Sequence, residues 1–413
     1  MPETEGKRPF YGWVIVAVFF FVSTIMYGTQ TSFGVFFKSI SGDFGLARGA
    51  TSAIFSVQNV FGAALSFGGG WSVDKYGPKL TVFFIGLFTG LSLLLTSQTN
   101  ELWQLFFTYS LLFGVIGSTY TTIMSTVSRW FGQNRGLALG IAGLGIGLGP
   151  VVFAPFAAHL IAAFDWRMAY IILGAVAWVV ILPLSRLLKR SPTDVKARVK
   201  SVESETGVKD VPPPEPDGGK AGDLVLRQAV RTRSFWFFSV AWLLTSFSFM
   251  MVMIHIVPHA TDMGIPPMQA ATILSVIGGF VIAGRLITGK VSDSIGRKRT
   301  SAVCALVVAL GMIWLAWAQE LPMLYLFAAV FGFFIGGFDT IIAALIGDTF
   351  GVRNIGMIMG ALQITFGLGM VFGPALAGVI FDVNGSYFTA FVIGAAAMFI
   401  VSLLISMTRR EIG

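Results

Sequence analysis

The segment VIAGRLITGKVSDSIGRK, residues 281–298, starts as an apolar run and ends as a charged turn, with Arg285 five residues before Lys290. No other Lys or Arg falls inside an apolar run of this chain. A guanidinium at mid-helix costs about 2.5–3.5 kcal/mol on insertion scales. Two readings follow. Five residues of helix span roughly 7–8 Å, so the side chain can snorkel to the interface. Alternatively it lines a wet cavity and anchors an anion, because its planar fork matches a carboxylate through two parallel charge-assisted hydrogen bonds. Other polar groups at the same depth are few. Tyr120 can donate to an anion oxygen or pack as an aromatic, and Asp339 can carry a proton, neutralise an empty Arg285, or make a structural pairing. These two stand 219 residues apart. Tyr27, Asn59 and Gln363 read either as cavity-lining groups or as interhelical hydrogen-bond partners.

Other chemistries fit poorly. His255 and His259 stand four apart, but Pro258 lies between them and no third ligand accompanies them, so no metal site is expected. They remain candidates for sensing protons outside. The lone Cys304 excludes an internal disulfide. The run from Gly284 to Lys290 imitates a phosphate loop, yet Val291 follows where Ser or Thr should hold magnesium, and no strand precedes it. Neither a nucleophile elbow nor an HExxH motif appears, so no enzyme activity and no cofactor are expected.

The elements that must position these residues are membrane helices. The 413-residue chain is 55% hydrophobic and 12% charged, with a mean hydropathy of +0.79; a soluble chain is about 25% charged. Twelve apolar runs can cross a bilayer, near 13–37, 51–70, 79–97, 101–127, 136–160, 166–187, 235–257, 268–289, 300–318, 322–346, 355–380 and 387–408. A charged, Pro- and Gly-rich stretch over 188–234 cannot build a core, so it is read as a cytoplasmic linker between two six-span units, 1–187 and 235–413. All but four of the 28 Lys and Arg lie in the termini and inward connections when the N-terminus is inside. The exceptions are Lys38, Arg48 and Arg167 outside, and Arg285 within a span. Both termini are therefore expected in the cytoplasm, and the net charge of +8 is mostly topology rather than a nucleic-acid footprint. The first ten residues lead straight into a span, and no cleaved signal peptide is expected.

The halves repeat. GWSVDKYGPKL at 70–80 matches GKVSDSIGRKR at 289–299, placing Asp293 219 residues after Asp74. Gly136, Gly140, Gly147 and Gly149 match Gly356, Gly360, Gly367 and Gly369 at an offset of 220. Two related bundles about an axis along the membrane normal, with a site between them at mid-depth, is a transporter's architecture.

The repeated turn motif resembles the signature of the major facilitator superfamily, over nearly the whole chain. That resemblance implies an all-α membrane fold of 12 helices in two pseudo-symmetric six-helix bundles. It also implies a cytoplasmic gate built on Asp74, Lys75, Gly77 and Lys79 in the first half and Asp293 and Arg297 in the second. Arg129 and Arg135 are candidate partners for it. Residues 117–149, with FYGW at 10–13 and FGVFFKSISGDF at 33–44, further resemble monocarboxylate porters and oxalate/formate antiporters. In both groups an arginine ahead of the second turn motif binds substrate carboxylate, and Arg285 holds that position. The antiporters add a lysine in the eleventh span, where this chain has Leu362 and no Lys or Arg from 354 to 408. One cation balances one carboxylate, so monocarboxylates such as lactate or pyruvate are favoured over dianions. The porters' proton-coupling pair is missing too, with Thr31 and Val281 at those positions. Proton symport then falls to Asp339 or to the bound substrate, with organic-anion exchange as the alternative. A monomer in a bacterial inner membrane is the expected setting.

Overall fold

The computed structural model describes residues 11–131, 135–190, 224–351 and 355–409, without the side chains of residues 67, 135–137, 293, 355 and 356. Twelve of its helices are long and apolar enough to cross a membrane. In the first half these are α1 (Gly12–Asp43), α2 (Arg48–Tyr76), α3 (Pro78–Ser97), α4 (Leu102–Trp130), α5 (Arg135–Ala163) and α6 (Trp166–Ser185). In the second they are α7 (Arg233–Asp262), α8 (Pro267–Ile295), α9 (Arg297–Trp317), α10 (Leu321–Phe350), α11 (Ile355–Asn384) and α12 (Phe388–Met407). Every expected span is present. Several run past the apolar limits, because polar residues continue the helical ladder into water where hydropathy stops signalling it. Asp74 and Lys75 are accordingly in the last turn of α2 rather than in a loop. The α2–α3 connection is Gly77 alone, at φ +89°, and a side chain there would also strike Arg190.

The packing repeats with the sequence. In the first half α1 packs on α5, α2 on α4 and α3 on α6; in the second α7 packs on α11, α8 on α10 and α9 on α12. The halves meet through α2 against α11, α5 against α8, and α1 against α7. The first two of these contacts are mates under the same six-helix shift. Without a hydrophobic drive between helices in lipid, such contacts rest on close backbone approach at small residues. Gly149 lies on Gly28 of α1, and Gly369 and Gly373 lie on Leu243 and Phe247 of α7. Gly140, Gly360 and Gly367 of the expected ladders instead face open space.

The tightest approach holds the polar residues of the core. Along α8 and α10, Gly332 meets the backbone of Ile277, Gly336 that of Val281, and Gly284 that of Phe333. A Cβ added to Gly284 would sit 1.9 Å from the Phe333 carbonyl oxygen, a backbone atom that cannot swing aside. Gly284→Ala should therefore push the helices apart at a cost of about 1–3 kcal/mol. A lowered melting temperature of the purified protein in detergent is the expected readout.

Candidate functional site

That glycine contact sets Arg285 on α8 against Asp339 on α10. The guanidinium donates from Nη2 to Asp339 Oδ2 at 2.9 Å. The arginine side chain is about one-quarter exposed and the carboxylate half exposed, so the pair lines an opening rather than a sealed core. Arg285 Nε–H is buried and has no hydrogen-bond partner among the described residues. An unfilled charged donor is costly in such a place, and it marks an edge where an external acceptor would be held. Tyr120 on α4 lies within electrostatic reach of both Asp339 and Arg285, and Tyr27 on α1 within reach of Tyr120 and Arg285. Ahead of Tyr120, α4 passes through a π stretch (Phe106–Leu112) and a 3₁₀ stretch (Phe113–Gly117). There Gly117 seats directly on the backbone of Gly62 in α2. Four of the six core residues singled out in the sequence thus converge from both halves.

Asn59 does not join them. Asn59 is buried and donates to the Phe55 carbonyl at 2.9 Å. Gln30 donates from Nε2 to Gln58 Oε1 at 3.0 Å and, more weakly, to Asn59 Oδ1 at 3.5 Å. This amide cluster between α1 and α2 makes Asn59 an interhelical partner, and Gln58 Nε2 in it is buried without a partner. Gln363 on α11 is exposed. Its neighbour Leu362 is fully buried in the core, so the position matched to the antiporters' lysine faces away from any opening.

At the linker face, where α6 ends and α7 begins on either side of residues 191–223, Asp74 pairs with Arg129 of α4. Arg190 Nη2 donates to the Lys75 carbonyl at 2.5 Å, and the Lys75 ammonium lies 4.7 Å from the centre of the Trp71 ring. Lys79 is exposed. In the second half Arg297 Nη1 donates to Asp348 of α10 at 2.8 Å. Asp348 stands 219 residues after Arg129, so the repeat keeps an ion pair here but reverses its sense. The side chains of Arg135 and Asp293 lie outside the described residues.

The far face carries a network the sequence reading did not find. Arg48, at the start of α2, donates to both oxygens of Asp262 at 2.6 and 2.8 Å, and Lys38 reaches the same carboxylate at 2.6 Å. Arg48 also donates to Tyr387 Oη at 2.7 Å. Asp382 of α11 accepts the backbone N–H of Arg48 and Gly49 at 2.8 and 2.6 Å, capping a helix of the opposite half. Behind this layer His255 is fully buried, with Nδ1 3.0 Å from Tyr387 Oη and Nε2 3.0 Å from the Pro374 carbonyl oxygen. It is a packed partner of the interface and has no exposure to the far side. The one available signal was two cations, Lys38 and Arg48, on the side that the positive-inside pattern leaves poor in them. Their acidic partners come from the other half, too distant in sequence to pair by inspection.

Comparison with known proteins agrees with this architecture. The model of the Major Facilitator Superfamily matches residues 19–300 and 280–412. Over 404 residues the chain is 27% identical to Monocarboxylate transporter 13 of Rattus norvegicus, covering 95% of this chain and 88% of that protein. Over 416 residues it is 26% identical to the Oxalate:formate antiporter of Oxalobacter formigenes, covering 99% and 93%. A solved structure of a bacterial homolog to the human lysosomal transporter Spinster, inward-facing and occupied, is similar in fold. Its TM-score is 0.71 at 14% identity, over 97% of this chain and 95% of that one. The fold and these relatives are those of transporters, not enzymes. With twelve spans in two matching halves, a repeated turn motif and a family model running over nearly its whole length, this chain belongs to the major facilitator superfamily.

Proposed function

We propose that this protein is a secondary active transporter of small monocarboxylates, lactate or pyruvate in kind, working as a proton symporter by alternating access. The observation that carries this reading is the Arg285–Asp339 pair of the second half, with its unfilled Nε–H edge, within electrostatic reach of Tyr120 and Tyr27 of the first half. In the empty site Asp339 neutralises Arg285. An incoming carboxylate competes for that guanidinium, and one partly buried cation does not balance two anions. Protonation of Asp339 resolves the competition, so anion and proton enter together as a neutral load. Tyr120 and Tyr27 hydroxyls complete the contact from the first half, with Gln363 available from α11. A substrate that touches both bundles can bias their closure; one indifferent to the two states could not.

The linker face is the cytoplasmic one in this reading, with both termini inside a bacterial inner membrane and the monomer as the working unit. Asp74–Arg129 and Arg297–Asp348 then brace the cytoplasmic gate, with Lys75, Lys79, Asp293 and Arg135 around it. Asp74→Asn should lower turnover roughly tenfold and shift the apparent KM with the population of the open state, since it alters an equilibrium between states and leaves the contacts of the site itself in place. Initial rates against substrate concentration check this.

The relative that exchanges oxalate and formate supports a second reading, organic-anion exchange. Trans-stimulation separates the two: efflux that requires an external anion favours exchange, and efflux driven by an opposing proton gradient alone favours symport.

A further inference from the structure

The far-face network divides by charge. Lys38 and Arg48 belong to the first half, and Asp262 and Asp382 to the second. Both oxygens of Asp262 are taken, by two N–H groups of Arg48 and by the Lys38 ammonium, all at 2.6–2.8 Å. Every other group fixing Arg48 also comes from the second half. The guanidinium lies 3.6 Å from the centre of the Phe381 ring, and Tyr387 takes one of its N–H groups. If the far mouth opens, these partners leave together. What stays on the first half is two cations already spaced to clasp a single carboxylate and facing the entrance. An aspartate side chain and a small organic acid present the same group to them.

We propose that Lys38 and Arg48 form a carboxylate seat at the far mouth, filled by Asp262 when the mouth is shut and by an incoming carboxylate when it is open. Substrate capture and gate closure then compete for one seat. The inference rests on the carboxylate reading above for its ligand, and adds a site some distance from Arg285 that would be met first. It explains why two cations persist on a face otherwise poor in them, and why both converge on one acid from the opposite half.

A lock without a seat and a lock that is also a seat give different signs. Asp262→Asn removes the resident carboxylate and leaves the cations; Arg48→Gln removes a cation and leaves the acid. In proteoliposomes of defined orientation, the seat requires Asp262→Asn to lower the far-side KM for L-lactate by roughly fivefold and Arg48→Gln to raise it by a similar factor. KM from the linker side moves in the same direction in both, as weakening the lock alone requires. If both variants shift the far-side KM in the same direction, the pair is only a lock and the seat is overturned. Should Arg48→Gln not fold, Lys38→Gln at the more exposed cation takes its place, with the same expected sign.

A wild type that carries no carboxylate would sink the transport reading but not yet the seat. The seat is then decided by the distance between spin labels at Gly42→Cys and Asn384→Cys, both exposed on opposite halves, in a Cys304→Ala background. With acetate as the probe, widening in the wild type that is absent in Arg48→Gln supports the seat. No widening in the wild type overturns it.

Discussion

Arg285→Gln should abolish carboxylate uptake, lowering it by more than about a hundredfold, while the protein still folds and inserts. The magnitude follows from what the residue does. A charge-assisted carboxylate contact in a partly desolvated site is worth about 2–5 kcal/mol when one partner is truncated, and nothing else of positive charge lies at that depth to replace it. Arg285→Lys should retain part of the activity, down about tenfold, because the ammonium keeps the charge and loses the planar fork. A snorkelling residue would behave otherwise. Lysine would serve as well as arginine, and glutamine would change insertion rather than transport. Its pairing with Asp339 at 2.9 Å also argues against snorkelling, since the guanidinium is held sideways across to α10. Initial rates of labelled L-lactate uptake, normalised to protein reconstituted, separate these cases.

The second large effect falls on coupling rather than on binding. In Asp339→Asn the counter-charge to Arg285 is gone and so is the group proposed to take the proton. The variant should bind carboxylate at least as tightly as wild type and still exchange internal for external anion. It should fail to accumulate substrate against its gradient when a proton gradient is applied, with an accumulation ratio of about one. Loss of exchange together with accumulation would instead mean that Asp339 is structural, holding Arg285 in place. The double variant Arg285→Gln/Asp339→Asn adds a check. If the carboxylate in the first single variant is harmful because it is left without its partner, removing it too should restore stability without restoring uptake.

Much of this was legible in the chain because lipid leaves few options. Backbone groups have no water to bond to within the bilayer core, so a twelve-span hydropathy pattern leaves helices as the elements. The repeat offset of 219–220 residues then fixes how they pair. Arg285, Asp339, Tyr120 and Tyr27 stood out for the same reason, each being a polar group where such groups are expensive. Asn59 met that criterion as well, but amides satisfy one another. Gln30 and Gln58 close the account for Asn59 between α1 and α2, and nothing in the spacing distinguishes an amide bonded to its neighbour from one facing a cavity. The far-face network was hidden by distance. Arg48 meets Asp262 and Asp382 across 214 and 334 residues, so its place outside was visible in the sequence but its acidic partners were not. The reversed ion pair of the second half, Arg297 with Asp348, was hidden differently. The repeat matches Asp293 to Asp74 and so draws attention to the acid, whereas the resolved pairing there starts from a base one turn further on.

The most direct test of the central claim is uptake of labelled L-lactate into proteoliposomes, with and without an inward proton gradient and with no other driving ion. The account predicts uptake that rises above the equilibrium level only when the gradient is present, collapses with a protonophore, and is absent in Arg285→Gln. Uptake that ignores the gradient and appears only against an internal anion would contradict proton symport and favour exchange. If the wild type takes up no monocarboxylate under either condition, the assignment of substrate class is wrong.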